Sequence, residues 1–230
     1  MSELLGIMNI LLEEASLYLD LIKTNEGEIR ISVELLDTGE VATLVLGDKI
    51  EVVDGSVNPD CKISMERQVL KNIIDGGADA FALAGRGRAD EVRPIEFEIY
   101  NKERLKEIWE TVKALLTYFF VPGRIKVRNL RPELAGYAHG AHPIPILYWN
   151  GLRFAWYIVK AGEVINKEKT KDPWPQMFII LKGKGKATIH DEQFEIKPNT
   201  VIYIPRNSVH QITAEEDVEL FWMAWQTNQQ

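Results

Sequence analysis

A single cysteine, Cys61, is all the thiol chemistry in this 230-residue chain. One cysteine excludes an internal disulfide framework and suits a reducing compartment, so a cytoplasmic location is expected. The four histidines are too few for a rich metal centre. No apolar run approaches the roughly 20 residues that a membrane-spanning helix needs. The stretch 4–12, LLGIMNILL, is followed closely by Glu13, Glu14 and Asp20, so no stable membrane insertion is expected. No basic leader with a small-residue cleavage site opens the sequence, and we read no signal peptide. The chain lacks G-x-S-x-G and H-E-x-x-H motifs, and its one cysteine is not in a nucleophile context.

Charge is present but uneven. Residues 1–120 hold 23 acidic and 13 basic side chains, whereas residues 121–230 hold 11 acidic and 14 basic. The asymmetry suggests two modules. An acidic first half lacks the cations that nucleic acid demands, and no helix-turn-helix pattern is present, so no nucleic-acid partner is expected.

The first half alternates helical and strand patterns. Residues 3–22 read as a helix with apolar side chains on more than one face. Ile29, Ile31, Val33 and Leu35 alternate with Arg30, Ser32 and Glu34, which predicts a half-buried strand. VATLVLG (41–47), KIEVVDG (49–55) and KISM (62–65) predict three more. Residues 66–77 predict a helix stopped by Gly76 and Gly77. Residues 93–100 predict a last strand and 101–120 an amphipathic helix. GRGRAD (85–90) lacks phosphate-loop spacing and reads as a strand entry with solvated arginines.

This order predicts an α+β domain, a mostly antiparallel sheet with helices on one face, over residues 1–120. Seven prolines and glycines then crowd residues 121–145, which read as a linker. Residues 146–230 are almost pure strand and turn, and predict an all-β domain. Five of the six tryptophans fall in the second half.

The segment 55–89, GSVNPDCKISMERQVLKNIIDGGADAFALAGRGRA, resembles the sterol carrier protein type-two-like family. That resemblance implies an apolar tunnel for a fatty-acyl or sterol-like chain. Leu70, Ile73, Ile74, Phe81 and Leu83 would line it, with Met8, Leu11 and Leu12 as further candidates. The competing expectation is that these side chains are simply core, as apolar helix faces usually are.

The second half carries two short motifs, at residues 176–185 and 197–212, and through them it resembles a cupin, a jelly-roll barrel. KPNTVIYIPRNSVHQI (197–212) matches the second cupin motif, with Asn199 at the usual glycine, then Pro205 and His210. QMFIILKGKG (176–185) matches the end of the first motif, with Gln176 at the acid or amide position. Counting back from Gln176, the two histidine positions fall on Thr170 and Asp172. The resemblance thus implies an interior lined by Thr170, Asp172, Gln176, Phe178 and His210. It implies a metal set of His210, Gln176 and Asp172, with His139 and His142 as substitutes from a loop. Lys169 and Lys171 would repel a cation, and one imidazole is a poor cage for iron, manganese or zinc.

The favoured expectation is a non-catalytic binding protein for a lipid or other hydrophobic small molecule, fused to a cupin barrel with a depleted metal site. No cofactor is required by that reading. The alternative is a metal-dependent cupin enzyme of dioxygenase, isomerase or decarboxylase type. ELFWMAWQ (219–226) carries apolar side chains on both faces of a strand, which predicts a homodimer through the barrel.

Overall fold

The computed structural model describes residues 2–23, 27–88 and 90–227. The chain divides into two compact units, residues 1–84 with 92–129, and residues 85–91 with 130–230. The Pro/Gly-rich stretch 121–145 is therefore shared between them, and a strand already begins within it at His142.

In the first unit, α1 (Glu3–Glu14) starts at Ser2, whose hydroxyl accepts the Leu5 N–H. Such a cap satisfies one of the free donors of a helix start. The helix predicted over 3–22 breaks after Glu14. A 3₁₀ turn (Ser16–Tyr18) and the short α2 (Leu19–Ile22) follow. The strands β1 (Ile29–Leu35), β2 (Val41–Leu46), β3 (Ile50–Asp54), β4 (Cys61–Met65) and β5 (Ile95–Ile99) form one sheet in the order β3-β2-β1-β4-β5.

All neighbours in this sheet are antiparallel except β1 and β4, which run parallel. Ser32, predicted on the wet face of β1, is fully buried and shares a hydrogen bond of 2.8 Å with the Thr43 hydroxyl. That partner on β2 is what permits a polar group there.

Helix α3 (Arg67–Ile74) follows β4, and a second helix, α4 (Ala80–Ala84), occupies part of the segment expected to lead into a strand. Asp79 caps α4 by accepting the Ala82 N–H at 2.8 Å. GRGRAD is likewise not a strand entry. Arg88 is exposed and pairs with Asp90, while Ala89 lies outside the described residues. Helix α5 (Leu105–Ala114) continues into a π-helical turn, Leu115–Phe119. Cys61 is buried, and burial, with the fields of Asp60 and Glu98, pushes its thiol up to about 12. Such a thiol is inert rather than nucleophilic.

The second unit contains β6 (His142–Trp149), β7 (Leu152–Val159), β8 (Val164–Ile165), β9 (Gln176–Lys182), β10 (Gly185–Ile189), β11 (Glu192–Ile196), β12 (Thr200–Ile204), β13 (His210–Ala214) and β14 (Val218–Trp225). They form a five-stranded sheet, β12-β9-β14-β7-β6, and a four-stranded sheet, β11-β10-β13-β8. The strands pair as two sheets rather than as one closed barrel. Residues from both sheets, among them Ala155, Tyr157, Phe178, Ile180, Ala187, Ile212 and Leu220, make one core. The alternation of side chains along a strand sends every second residue into that core. Asn199 takes the left-handed conformation, with φ 63°, where the cupin pattern usually has glycine. No described helix in either unit is long and apolar enough to cross a membrane.

Candidate functional site

Strand β9 supplies the first site residues because Gln176, Phe178 and Ile180 all face inward. Strand β14 lies beside it with Trp222 and Ala224 opposite Phe178 and Gln176. The Gln176 side chain is 2% exposed. Its Oε1 accepts the Trp222 indole N–H at 2.6 Å. An indole can only donate, so the amide's orientation is fixed and its NH2 points elsewhere. That Nε2 is buried and has no hydrogen-bond partner among the described residues.

His210 opens β13 and is 8% exposed. Its Nδ1–H donates to the Ser208 carbonyl at 3.0 Å, which leaves Nε2 as a bare lone pair in the neutral ring. Its ring lies 6.0 Å from that of Phe178. Burial lowers the His210 pKa from its ordinary 6.5. The Ser208 contact and the Asp172 charge work against this, and His139 adds to it.

The sign of the consequence follows from proton linkage. As pH falls below 6.5, the unfolded chain protonates this imidazole before the folded chain does. Stability is therefore expected to fall through that window and to level off once the folded ring also protonates. His210→Gln should flatten the dependence, as read from urea midpoints between neutral and mildly acidic pH.

Thr170 and Asp172 do not offer free ligands. The Thr170 hydroxyl donates to Asn166 Oδ1 at 2.6 Å, and the Asn166 amide donates to the carbonyls of Thr170 and His210. Thr170 thus ties its loop to β13. Asp172 accepts the Trp174 N–H at 2.8 Å and pairs with Arg153 at 3.2 Å. Arg153 also lies over the Trp174 ring, 4.2 Å from its centroid, a stacked cation–π contact. Of the two loop histidines, His142 has one ring nitrogen engaged and His139 is held through its backbone. His142 Nε2 contacts Glu163 at 3.1 Å, and the His139 carbonyl accepts the Asn166 N–H.

A divalent transition metal wants three or four lone pairs converging from imidazole, carboxylate or thiolate. Among the described residues no three such side chains gather. The donors named from the sequence do not fit that need. Gln176 Oε1 already accepts from Trp222, Asp172 is paired with Arg153, and His210 Nε2 is the one imidazole lone pair that the motif itself supplies.

Several site residues escape sequence reasoning. Tyr148 and Tyr157 pack about Trp222, with ring centroids at 6.4 and 6.3 Å. Burial pushes the Tyr148 phenol up to about 12 and the Tyr157 phenol well above its ordinary value, so both stay protonated. The alternation Leu220, Trp222, Ala224 on β14 is the one signal that could have brought Trp222 to the interior.

In the first unit a cleft of about 440 Å³ is lined by Ile7, Leu35, Leu70 and Ile74, with Glu3, Asp37, Arg67, Gln68 and Lys71 also on its wall. Leu70 and Ile74 were expected at such a wall. Of the other expected lining residues, Ile73 and Phe81 are buried and Leu83 is half-buried, and none of the three lines the cleft.

The profile of the family described as "Cupin domain" matches residues 155–225. No curated protein matches the chain. Solved structures similar to part of it include a protein of Photorhabdus luminescens, 20% identical, with a TM-score of 0.39, covering 44% of this chain and 88% of that one. A cupin 2 conserved barrel domain protein from Salinispora arenicola is 15% identical, with a TM-score of 0.41, covering 45% and 90%. A structure described as a predicted oxalate decarboxylase from Thermotoga maritima is 19% identical, with a TM-score of 0.36, covering 38% and 81%. With two facing sheets, inward β9 and β14, and the Pro205–His210 approach to β13, the profile match makes residues 155–225 a cupin domain.

Proposed function

We propose that the protein binds a lipid or other hydrophobic small molecule, and that its cupin domain works without a resident catalytic metal. The carrying observation is the Gln176–Trp222 hydrogen bond. It engages the one amide oxygen that a metal set would use and leaves the amide nitrogen as a buried donor beside it. The cleft of the first unit supports the reading, since its wall sets Ile7, Leu35, Leu70 and Ile74 beside charged side chains of both signs, as an amphiphile needs. The sterol-carrier resemblance of residues 55–89 adds the same expectation by analogy.

The proposal places the protein in the cytoplasm, in keeping with its lone thiol. It also places a second copy on the outer face of the five-stranded sheet. There Tyr203 is 71% exposed beside Met177, and Val201 is exposed beside Ile179. Adjacent exposed apolar side chains of this kind mark interaction surfaces.

One preparation tests all of this. Protein purified without added metal is expected to show, by native mass spectrometry, a dimer carrying an acyl chain or isoprenoid. Elemental analysis is expected to find metal well below stoichiometry. Stoichiometric iron, manganese or zinc, lost in His210→Ala, would overturn the metal-free reading and favour a metal-dependent enzyme. An empty protein would sink the lipid reading.

A further inference from the structure

We infer that Gln176 and His210 form a receptor inside the cupin domain for a neutral, planar ligand carrying an amide edge. The inference rests on the metal-free reading above and names a ligand class for that site. Two polar atoms carry it. Gln176 Nε2 is a donor, buried and unpartnered, with its orientation fixed by Trp222. His210 Nε2 is an acceptor with no hydrogen bond among the described residues, its tautomer fixed by the Ser208 carbonyl. A buried donor left unmade costs more than a made bond gains, so a ligand that satisfies it is strongly selected.

The two residues flank one side chain. Gln176 precedes Phe178 by two residues on the same face of β9, and the Phe178 ring lies 6.0 Å from that of His210. Opposite Gln176 on β14 stands Ala224, a small neighbour for the amide. Phe178, Trp222, Tyr148 and Tyr157 give the interior aromatic faces, which suit a flat molecule.

Charge decides between ligand classes. The Arg153 cation and the Asp172 anion already pair with each other. The two phenols stay protonated and burial favours neutral imidazole. These groups therefore supply no free charge to balance an ionised ligand, and burying an unpaired charge is costly. A carboxylate would also bring two acceptors to a site with one donor and one acceptor. An amide brings a carbonyl for Gln176 and an N–H for His210.

The test uses the full chain labelled with nitrogen-15. The Gln176 side-chain NH2 and the Trp222 indole N–H are followed while nicotinamide or benzamide is added, and separately nicotinate or benzoate. Both amides are expected to shift both signals saturably at millimolar concentration, and the carboxylates to bind at least about tenfold more weakly, the worth of roughly one hydrogen bond. Gln176→Met, which keeps length but removes the donor, should weaken amide binding by a similar factor. His210→Gln serves as the second variant should Gln176→Met fail to fold. Unmoved signals with both amides would mean that internal water satisfies Gln176, and would overturn the proposal. Carboxylates binding as well as amides would overturn it too. Neither result bears on metal content, which the elemental analysis reads separately.

Discussion

Asp79→Ala is expected to destabilise the first unit by about 3–5 kcal/mol, the cost of removing one partner of a buried ion pair. The Asp79 and Arg128 side chains are only 8% and 13% exposed. Arg128 donates to Asp79 Oδ2 through both Nε, at 2.8 Å, and Nη2, at 2.5 Å. The other carboxylate oxygen caps α4 through the Ala82 N–H. One side chain thus holds the start of a five-residue helix and the end of the first unit, at Arg128, in a single arrangement.

Removing Asp79 leaves a guanidinium in a site with little water to replace it. Removing both partners, as Asp79→Ala with Arg128→Met, should recover most of the loss. The helix cap is still missing then, which leaves a deficit of about 1 kcal/mol. By contrast, breaking the Lys182–Glu219 pair, where the lysine is 71% exposed, should cost less than about 1 kcal/mol. Hydrogen exchange across a urea series, read on peptides from residues 2–84, measures the effect in the correct unit. A loss near that of the surface pair would show that water reaches Arg128 and that the burial argument is wrong.

Asp79 also shows where sequence reasoning runs out. The fold was legible wherever the deciding signal was local. Alternation placed β1, glycine turns bounded β2 and β3, and the Asn199, Pro205, His210 spacing identified the cupin segment. Helix α4 was not legible, because AFALA has no helical period of its own and its cap is answered by a residue 49 positions away. Ser32 misled for a related reason, since its partner Thr43 sits on another strand.

The site followed the same division. The interior place of Gln176 and Phe178 could be read from the motif, and the loss of histidines at Thr170 and Asp172 was plain. Which end of the Gln176 amide faces the interior is decided by Trp222, 46 residues further on. The commitments of Asp172 to Arg153 and of His142 to Glu163 are equally non-local. A ligand set read from spacing alone counts side chains that the folded chain has already engaged elsewhere.

Gly183→Ala is expected to be among the most damaging single methyl additions in the cupin domain. Gly183 joins β9 to β10, where the chain passes from one sheet to the other, and has φ 86°. A Cβ there would lie 2.1 Å from the Asp217 carbonyl oxygen and 2.9 Å from Val218 Cα. Both obstacles are backbone, so no side chain can swing aside. The return crossing from β13 to β14 is held at the same place, with the N–H groups of Glu215 and Glu216 on the Lys184 carbonyl.

The substitution therefore carries two costs. The left-handed conformation costs about 1–2 kcal/mol for a residue with a Cβ. Forcing the crossings apart adds about 1–3 kcal/mol of overpacking, or more. Gly162→Ala separates them, because Gly162 has a similar φ of 84° but open space where its Cβ would stand. It should show the conformational cost alone. In a domain of this size each kcal/mol lowers the melting temperature by about 4–8 °C, so the two variants should be well resolved by calorimetry. Equal losses would mean that the two crossings are not in contact, and the packing of β9 against β14 that aims Gln176 at Trp222 would have to be redrawn.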